Sequence, residues 1–144
     1  MEEEYILAPA GAEHIPAIEA LERACFSVPC TAKMIADHLD RYTVLLYGHE
    51  LAGYRCVSSV LDEGSLDNIA IRPELRGRGL SKRLMDDMIV QAREAGLAVI
   101  QLEVRESNAP AVALYKQYGF RTDGKRKNYY TKPREDAILM TLVL

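Results

Sequence analysis

The segment RGRGLS, residues 76–81, places two glycines and two arginines directly before a helical pattern. Glycine lets backbone N–H groups approach a ligand closely, and the first N–H groups of a helix have no partner within the helix. With the charge of Arg76 and Arg78, such a loop suits a diphosphate. The segment matches neither GxxxxGK[ST] nor GxGxxG, because Lys82 stands where the third glycine belongs. An ordinary strand-to-helix turn with solvated arginines is therefore the alternative.

A second group of polar residues could transfer protons. In AVIQLEV, a period of two places Val99, Gln101 and Glu103 on one face, with Glu103 near the strand end. Asn108 and Tyr115 are seven residues apart, so both lie on the same face of a helix with about 3.6 residues per turn. The alternatives are a solvated carboxylate for Glu103, a helix cap for Asn108 and a core aromatic for Tyr115.

Elements of alternating type are expected to position these residues. The predicted strands are EYILAP, YTVLLY, LAGYRCVSSV, SLDNIAIR, AVIQLEV and AILMTLVL. The predicted helices are HIPAIEALERACF, TAKMIADHLD with Thr31 as its cap, Leu80–Ala95 ending at Gly96, and APAVALYKQY ending at Gly119. One strand-helix-strand crossover lies between Asp67 and Val104. The pattern predicts a mixed α/β fold, with helices on a largely antiparallel sheet.

Composition narrows the class of protein. A chain of 144 residues with 49% hydrophobic content suits one domain, residues 1–144, and a formal charge of -3 gives no reason to expect a nucleic-acid or membrane-surface partner. No apolar stretch approaches the ~18 residues of a membrane span, so we expect a cytosolic protein. Cys25, Cys30 and Cys56 lie outside metal-ligand spacing, which predicts free thiols and no metal site. The sequence does not indicate an oligomeric state.

Three segments carry a resemblance to a known family. RGRGLS resembles the RxxGxG/A element of the GNAT superfamily of N-acetyltransferases, with Ser81 in place of the usual Gly or Ala. VLDEGSLDNIAIRPELRGRGLS, LEVRESNAPAVALYKQYGF and KNYYTKPREDAILM together resemble the bacterial ribosomal-protein alanine N-acetyltransferases of that superfamily. The resemblance implies the GNAT fold, here a single sheet of about six to seven strands with about four helices, and acetyl-CoA as cosubstrate. It also implies acetyl transfer to a protein N-terminus, that of an alanine in a small-subunit ribosomal protein.

The resemblance also implies roles for individual residues. Glu103 would act as general base on the amine, directly or through water, and Tyr115 as the acid that protonates the thiolate. An ordinary glutamate is a weak base at neutral pH, so we expect burial or a water relay to assist it. Asn108 would bind the pantetheine arm, as would the backbone of β-strand residues Ile69, Ala70 and Ile71. The predicted diphosphate loop comprises Arg76, Gly77, Arg78, Gly79, Leu80 and Ser81.

The acceptor side is predicted from residues 124–136 together with Asp62 and Glu63. GKRKNYYTKPRED interleaves basic residues with tyrosines, which is found in RNA-binding segments, but the net negative charge favours a substrate-side loop. The predicted substrate-binding residues, whose acids would form a wall for a basic peptide, are Asp62, Glu63, Asn128, Tyr129, Tyr130, Glu135 and Asp136.

Two alternatives remain open for the function. Where the resembling enzymes usually show Pro-Trp-Ser, this chain reads VPCTAK, with Cys30 in the aromatic position. The alternative acceptor is therefore a lysine side chain, a polyamine or another small amine. A coenzyme A-binding module without catalysis is the other alternative, which the presence of Glu103, Asn108 and Tyr115 disfavours.

Overall fold

The structure is a computed structural model that describes residues 4–144. Within those residues, seven strands and four α-helices alternate along the chain. The strands are β1 Tyr5–Pro9, β2 Tyr42–Tyr47, β3 Glu50–Val60, β4 Glu63–Ile71, β5 Val99–Arg105, β6 Arg121–Tyr130 and β7 Glu135–Val143. The α-helices are α1 Ile15–Cys25, α2 Ala32–Asp37, α3 Leu80–Glu94 and α4 Ala109–Gln117.

The strands form one sheet in the order β1-β2-β3-β4-β5-β7-β6. β4 and β5 are parallel, with Glu63 opposite Val99 and Leu66 opposite Leu102. A parallel pair requires a crossover, and α3 supplies it. The pairs β1 with β2, β2 with β3, β5 with β7 and β6 with β7 are antiparallel. The predicted mixed, largely antiparallel α/β fold is therefore confirmed.

The described residues divide into two compact units, and the first comprises residues 4–57 together with Asn68–Met88. Its core includes Ile18 and Leu21 of α1, which are buried as the predicted helical periodicity requires. Thr31 caps α2 as predicted, because its hydroxyl accepts from the Met34 amide at 3.2 Å. Several buried residues of the first unit lie on the strands and helices that precede the predicted diphosphate loop.

The second unit comprises Ser58–Asp67 and Ile89–Leu144. Along β5 the side chains alternate as predicted: Ile100 and Leu102 are buried, whereas Gln101 and Glu103 are exposed. On β7, Met140 is buried opposite Leu102. The candidate base thus lies on the open face of a strand whose other face builds the core.

The structure corrects one part of the sequence interpretation. The run of basic residues and tyrosines was predicted as a loop, but residues 121–130 form strand β6, paired with β7. Nearly every β6 residue is exposed, and its register shifts between Thr122 and Gly124 and again between Arg126 and Tyr130. β6 is an edge strand, and edge strands rich in charge lack the apolar alternation by which strands are predicted.

Candidate active site

The predicted diphosphate loop lies in the first unit. Gly77 has φ +82° and Gly79 has φ +75°, both in the left-handed region that favours glycine. A Cβ at either position would meet no atom within 4 Å, so the backbone there is open on that side. α3 begins immediately afterwards at Leu80. Open left-handed glycines before a helix N-terminus fit the predicted binding of a diphosphate.

The two loop arginines have different surroundings. The Arg76 guanidinium donates to Cys25 Sγ at 3.4 Å. Arg78 lines a pocket of about 230 Å³ together with Tyr5, Tyr47 and Arg72. Both arginines are exposed, so each can reach an anion outside the loop.

The strand predicted to bind pantetheine is the end of β4. Ala70 and Ile71 are buried and Ile69 is half-buried. The preceding residue, Asn68, donates to the fully buried Glu22 at 3.0 Å. Burial raises the pKa of Glu22, and hydrogen bonds, chiefly from Cys30, offset part of the rise. A buried carboxyl group from α1 therefore connects β4 to the segment around Cys30.

Glu103 lies in the second unit within a cluster of polar side chains. Its Oε1 is 3.6 Å from Arg126 Nη1, and its side chain is 32% exposed. A hydrogen bond to Glu103 raises the pKa of Tyr129, with burial and the Glu103 charge adding to the rise. The Arg126 guanidinium carbon lies 5.1 Å from the Tyr129 ring centroid. The Glu103 carboxylate is thus both accessible and oriented by two neighbours.

Tyr115 lies on α4 in the same unit and is 7% exposed. Burial raises the pKa of Tyr115 to about 12, so the phenol keeps its proton at neutral pH. Its ring centroid lies 5.7 Å from that of Phe120. Burial, followed by the charge of Glu103, raises the pKa of Tyr130 to about 12, with Tyr129 and Tyr115 also contributing. Both predicted proton-transfer residues thus contribute to the electrostatic environment of Tyr130.

Asn108 is the N-cap of α4. Its Oδ1 accepts from the Ala111 amide at 3.3 Å, so the capping role considered as an alternative is present in the structure. A hydrogen bond from its side-chain amide to pantetheine remains a prediction.

The acids predicted to bind a basic peptide do not lie together. Glu63 pairs with Val99 at the start of β5, and Glu103 is four residues further, roughly 13 Å along the strand. Asp62 and Glu63 are therefore at the other end of these strands. Asp136 accepts from the Asn128 amide at 2.9 Å, so it takes part in internal structure.

Sequence reasoning missed three charged residues around this cluster. Arg126 is the ion-pair partner of Glu103. Asp67 is exposed, and its charge contributes to the raised pKa of Tyr129. Arg105 ends β5 and binds the turn between β6 and β7. The two-residue period of a strand could have located Arg105, because Arg105 is two residues after Glu103 and so lies on the same face of β5.

Residues 4–144 were compared with the requirements of a metal site and of a membrane-spanning helix. No group of three or more His, Cys, Asp or Glu side chains in that part of the chain could hold a metal ion. Across the same residues, no helix has the length and apolar character needed to cross a membrane.

Comparison with known proteins gives the family. Residues 13–120 match the family model described as the acetyltransferase (GNAT) family. Over 133 residues, 89% of this chain and 90% of the other, the chain is 38% identical to the ribosomal protein bS18-alanine N-acetyltransferase of Escherichia coli (strain K12). It is 43% identical over 103 residues, 69% of this chain and 70% of the other, to the protein of the same name from Haemophilus influenzae.

A solved structure agrees with the sequence comparison. The crystal structure of the ribosomal-protein-S18-alanine N-acetyltransferase from Escherichia coli has a TM-score of 0.89 and 34% identity to this chain, covering 97% of this chain and 94% of the other. The match to the family model extends over the predicted diphosphate loop, β5 and α4. Because the family model covers residues 13–120 and the Escherichia coli relative is 38% identical over 89% of this chain, the chain belongs to the GNAT family of acetyltransferases.

Proposed function

We propose that this enzyme transfers the acetyl group of acetyl-CoA to the N-terminal amine of a protein, specifically an N-terminal alanine of a small-subunit ribosomal protein. The observation that carries the reaction is the cluster in which Arg126 and Tyr129 orient Glu103, in the same unit as the buried, protonated phenol of Tyr115. The acceptor is inferred from the relatives, which are alanine N-acetyltransferases of ribosomal protein bS18.

Acetyl-CoA would be held by the elements already described. The backbone amides of Gly77 and Gly79 would donate to the diphosphate, with Arg76 and Arg78 adding charge. The backbone of β4 from Ile69 to Ile71 would bind the pantetheine arm and polarise the acetyl carbonyl. The open space at both glycines supports this assignment, because a ligand can approach the backbone there without a clash.

The reaction forms a bond between the amine nitrogen and the acetyl carbon and breaks the bond from that carbon to sulfur. Glu103 accepts a proton from the amine, directly or through water, and the thiolate that leaves must be stabilised or protonated. Tyr115 is the candidate for that second role. Because its pKa is about 12 and that of a thiol is about 8.5, complete transfer of its proton to a free thiolate is unfavourable by roughly 5 kcal/mol.

Tyr115 therefore acts mainly as a hydrogen-bond donor while negative charge develops on sulfur, and the proton that the thiol finally keeps originates from the amine. From the sequence alone, the pKa values of the phenol and the thiol are expected to lie closer together, since an ordinary phenol has a pKa near ~10. Burial within α4 and its neighbours accounts for the difference. A donor that stays protonated is available at every physiological pH.

An N-terminal amine suits a carboxylate base better than a lysine does. At about pH 7.5, roughly a quarter of an amine with pKa near ~8 is neutral, compared with about 0.1% of a lysine with pKa near ~10.4. The exposed charge of Asp67 would attract basic residues after the alanine, whereas the carboxylates of Glu103 and Glu135 are already paired with Arg126 and Arg105. That attraction should weaken with added salt, because exposed charges are screened over about 8 to 10 Å.

A peptide panel tests the acceptor. Equal-length peptides would carry a free N-terminal alanine followed by basic residues, a free alanine followed by acidic residues, or a blocked alanine with an internal lysine; spermidine would be included. Products would be located by mass spectrometry, and thiol release would be followed in parallel. We expect the free alanine with basic residues to have the highest kcat/KM.

Other outcomes lead to different functions. Modification confined to the internal lysine, or a higher kcat/KM for spermidine than for every peptide, would establish the second candidate, a side-chain or small-amine acetyltransferase. Cys30 in place of an aromatic residue is the observation that favours this candidate. Binding of coenzyme A without thiol release from acetyl-CoA in the presence of any amine would indicate a module without catalysis.

A further inference from the structure

Arg105, the last residue of β5, is bound to the turn between β6 and β7. Its Nη1 donates to the carbonyl of Pro133 at 3.0 Å and to Glu135 Oε1 at 3.2 Å. Its Nη2 donates to the carbonyl of Thr131 at 3.0 Å. Its guanidinium carbon lies 4.5 Å from the centroid of the Tyr130 ring. A guanidinium can bind all these partners at once because its five donors lie in one plane, whereas an ammonium cannot reproduce this geometry.

Glu135 connects the same turn to α4. Its Oε2 accepts from the Ser107 amide at 2.6 Å, and Ser107 directly precedes the N-cap of α4. Hydrogen bonds from Ser107 lower the pKa of Glu135, and the hydrogen bond and charge of Arg105 lower it further. A single carboxylate thus joins the turn, the end of β5 and the start of the helix that carries Tyr115.

The turn held in this way carries the tyrosines of the candidate site. Residues 128–136, here called the acceptor turn, are also closed by the hydrogen bond from the Asn128 amide to Asp136. Asn128 and Lys132 both have φ +53°, a left-handed conformation that costs about 1 kcal/mol or more in a residue other than glycine. Surrounding contacts must maintain such a backbone, and Arg105 supplies contacts on both sides of Lys132.

We propose that Arg105 and Glu135 are positioning residues for the acceptor: together they hold the acceptor turn so that Tyr129 and Tyr130 lie beside Glu103. The identity of the acceptor rests on the proposed function, whereas the clamp itself rests on the contacts above. Removing the clamp should displace the two tyrosines and weaken peptide binding. The predicted diphosphate loop lies in the other unit, and Asn108 keeps its own hydrogen bond with the Ala111 amide, so the affinity for acetyl-CoA should change little.

Steady-state kinetics with an Arg-rich peptide bearing an N-terminal alanine test this inference. Arg105→Gln and Glu135→Gln should raise the KM for the peptide about tenfold or more, because small misplacements at a site have large kinetic effects. The KM for acetyl-CoA should stay within about twofold. Arg105→Lys should recover only part of the loss. The double variant should be no more impaired than the more impaired of the two single variants, because both substitutions remove the same clamp. Arg121→Gln is the matched control, because it removes the same charge from an exposed position of β6.

Hydrogen exchange measured by mass spectrometry gives a readout that needs no activity. In Arg105→Gln and Glu135→Gln, the amides of residues 128–136 and Ser107 should exchange about tenfold faster or more than in wild type, and in Arg121→Gln they should not change. If Arg105→Gln fails to fold by circular dichroism, Arg105→Lys and Glu135→Gln provide the same comparison.

The outcomes separate this inference from the proposed function. Wild-type activity on the peptide with an unchanged peptide KM and unchanged exchange in both variants would overturn the clamp and leave the function intact. An equal rise in both KM values would also overturn it, because the effect would then be general. A wild-type enzyme inactive on every peptide, but with faster exchange at 128–136 in the variants, would refute the proposed acceptor and support the clamp.

Discussion

Replacing Tyr115 by phenylalanine removes one hydroxyl from α4 and keeps the ring. The ring contact with Phe120 should persist, so the free energy of unfolding at pH 7 should change by less than about 1 kcal/mol. Turnover should fall about 10²-fold or more, because the departing sulfur loses its hydrogen-bond donor. That factor corresponds to about 2.7 kcal/mol of transition-state stabilisation, while the KM for acetyl-CoA should change little.

The same substitution gives a second, independent measurement at high pH. The pKa of Tyr115 is about 12 in the folded protein and near ~10 when unfolded, a difference worth about 2.7 kcal/mol. Because the folded state binds this proton more tightly, its stabilisation is complete below pH ~10 and is lost as the pH rises through about 12. Phenylalanine has no such proton. The free energy of unfolding, measured with urea, should therefore fall by about 2.7 kcal/mol less in the variant than in wild type over that range.

The assay would follow thiol release at saturating acetyl-CoA and peptide, with unfolding monitored by circular dichroism at about pH 7 to 12. Tyr118→Phe is the matched control, since it removes a hydroxyl from the residue that ends the same helix. Unchanged kcat in Tyr115→Phe would show that Tyr115 is only a packing residue. Equal alkaline losses in variant and wild type would refute the argument that burial holds the proton on Tyr115.

Two further predictions concern the first unit. Gly79→Val should weaken coenzyme A binding by a few kcal/mol in calorimetry, because it blocks the backbone approach where several charge-assisted hydrogen bonds are expected. Gly48→Val is its control, since Gly48 is also left-handed at φ +62° with open space around it, and wild-type affinity in Gly79→Val would exclude a diphosphate there. Glu22→Gln should stabilise the protein relative to wild type increasingly as the pH rises above about 4.5, because the raised pKa of Glu22 gives stability that is present at low pH and lost with deprotonation. Thermal unfolding measures this difference, with the exposed Glu13→Gln as control; a difference that does not vary with pH would contradict it.

Much of the fold was predictable because burial imposes a period on the sequence. β5 alternates between buried and exposed residues, and α3 buries Leu80, Leu84 and Met88 at helical spacing. Gly96 and Gly119 mark the helix ends through their positive φ values. β6 was not predicted as a strand, because an edge strand with exposed residues on both faces lacks the apolar alternation that indicates a strand.

The candidate site was predictable where chemistry depends on position within one element. Asn108 lies at the start of α4 as its N-cap and Tyr115 is buried two turns along, whereas the groove that the two residues would share stays a prediction. The predicted wall of acidic residues could not be checked in this way, since it required residues from separate elements to lie together. The register of β4 with β5 places Glu63 beside Val99, and no local pattern in the sequence reveals such a register.

Glu135 shows why the role of a charged residue depends on its neighbours as well as its type. From the sequence it was an acid available to a basic peptide, but in the structure its two oxygens bind Arg105 and the Ser107 amide. The parity of Arg105 with Glu103 could have placed the arginine on the open face of β5. The carbonyls that Arg105 binds, those of Thr131 and Pro133, point toward it only because of the backbone conformation of the turn. Side-chain chemistry therefore indicated the reaction, whereas the turn conformation decides which of the charged residues remain available to the substrate.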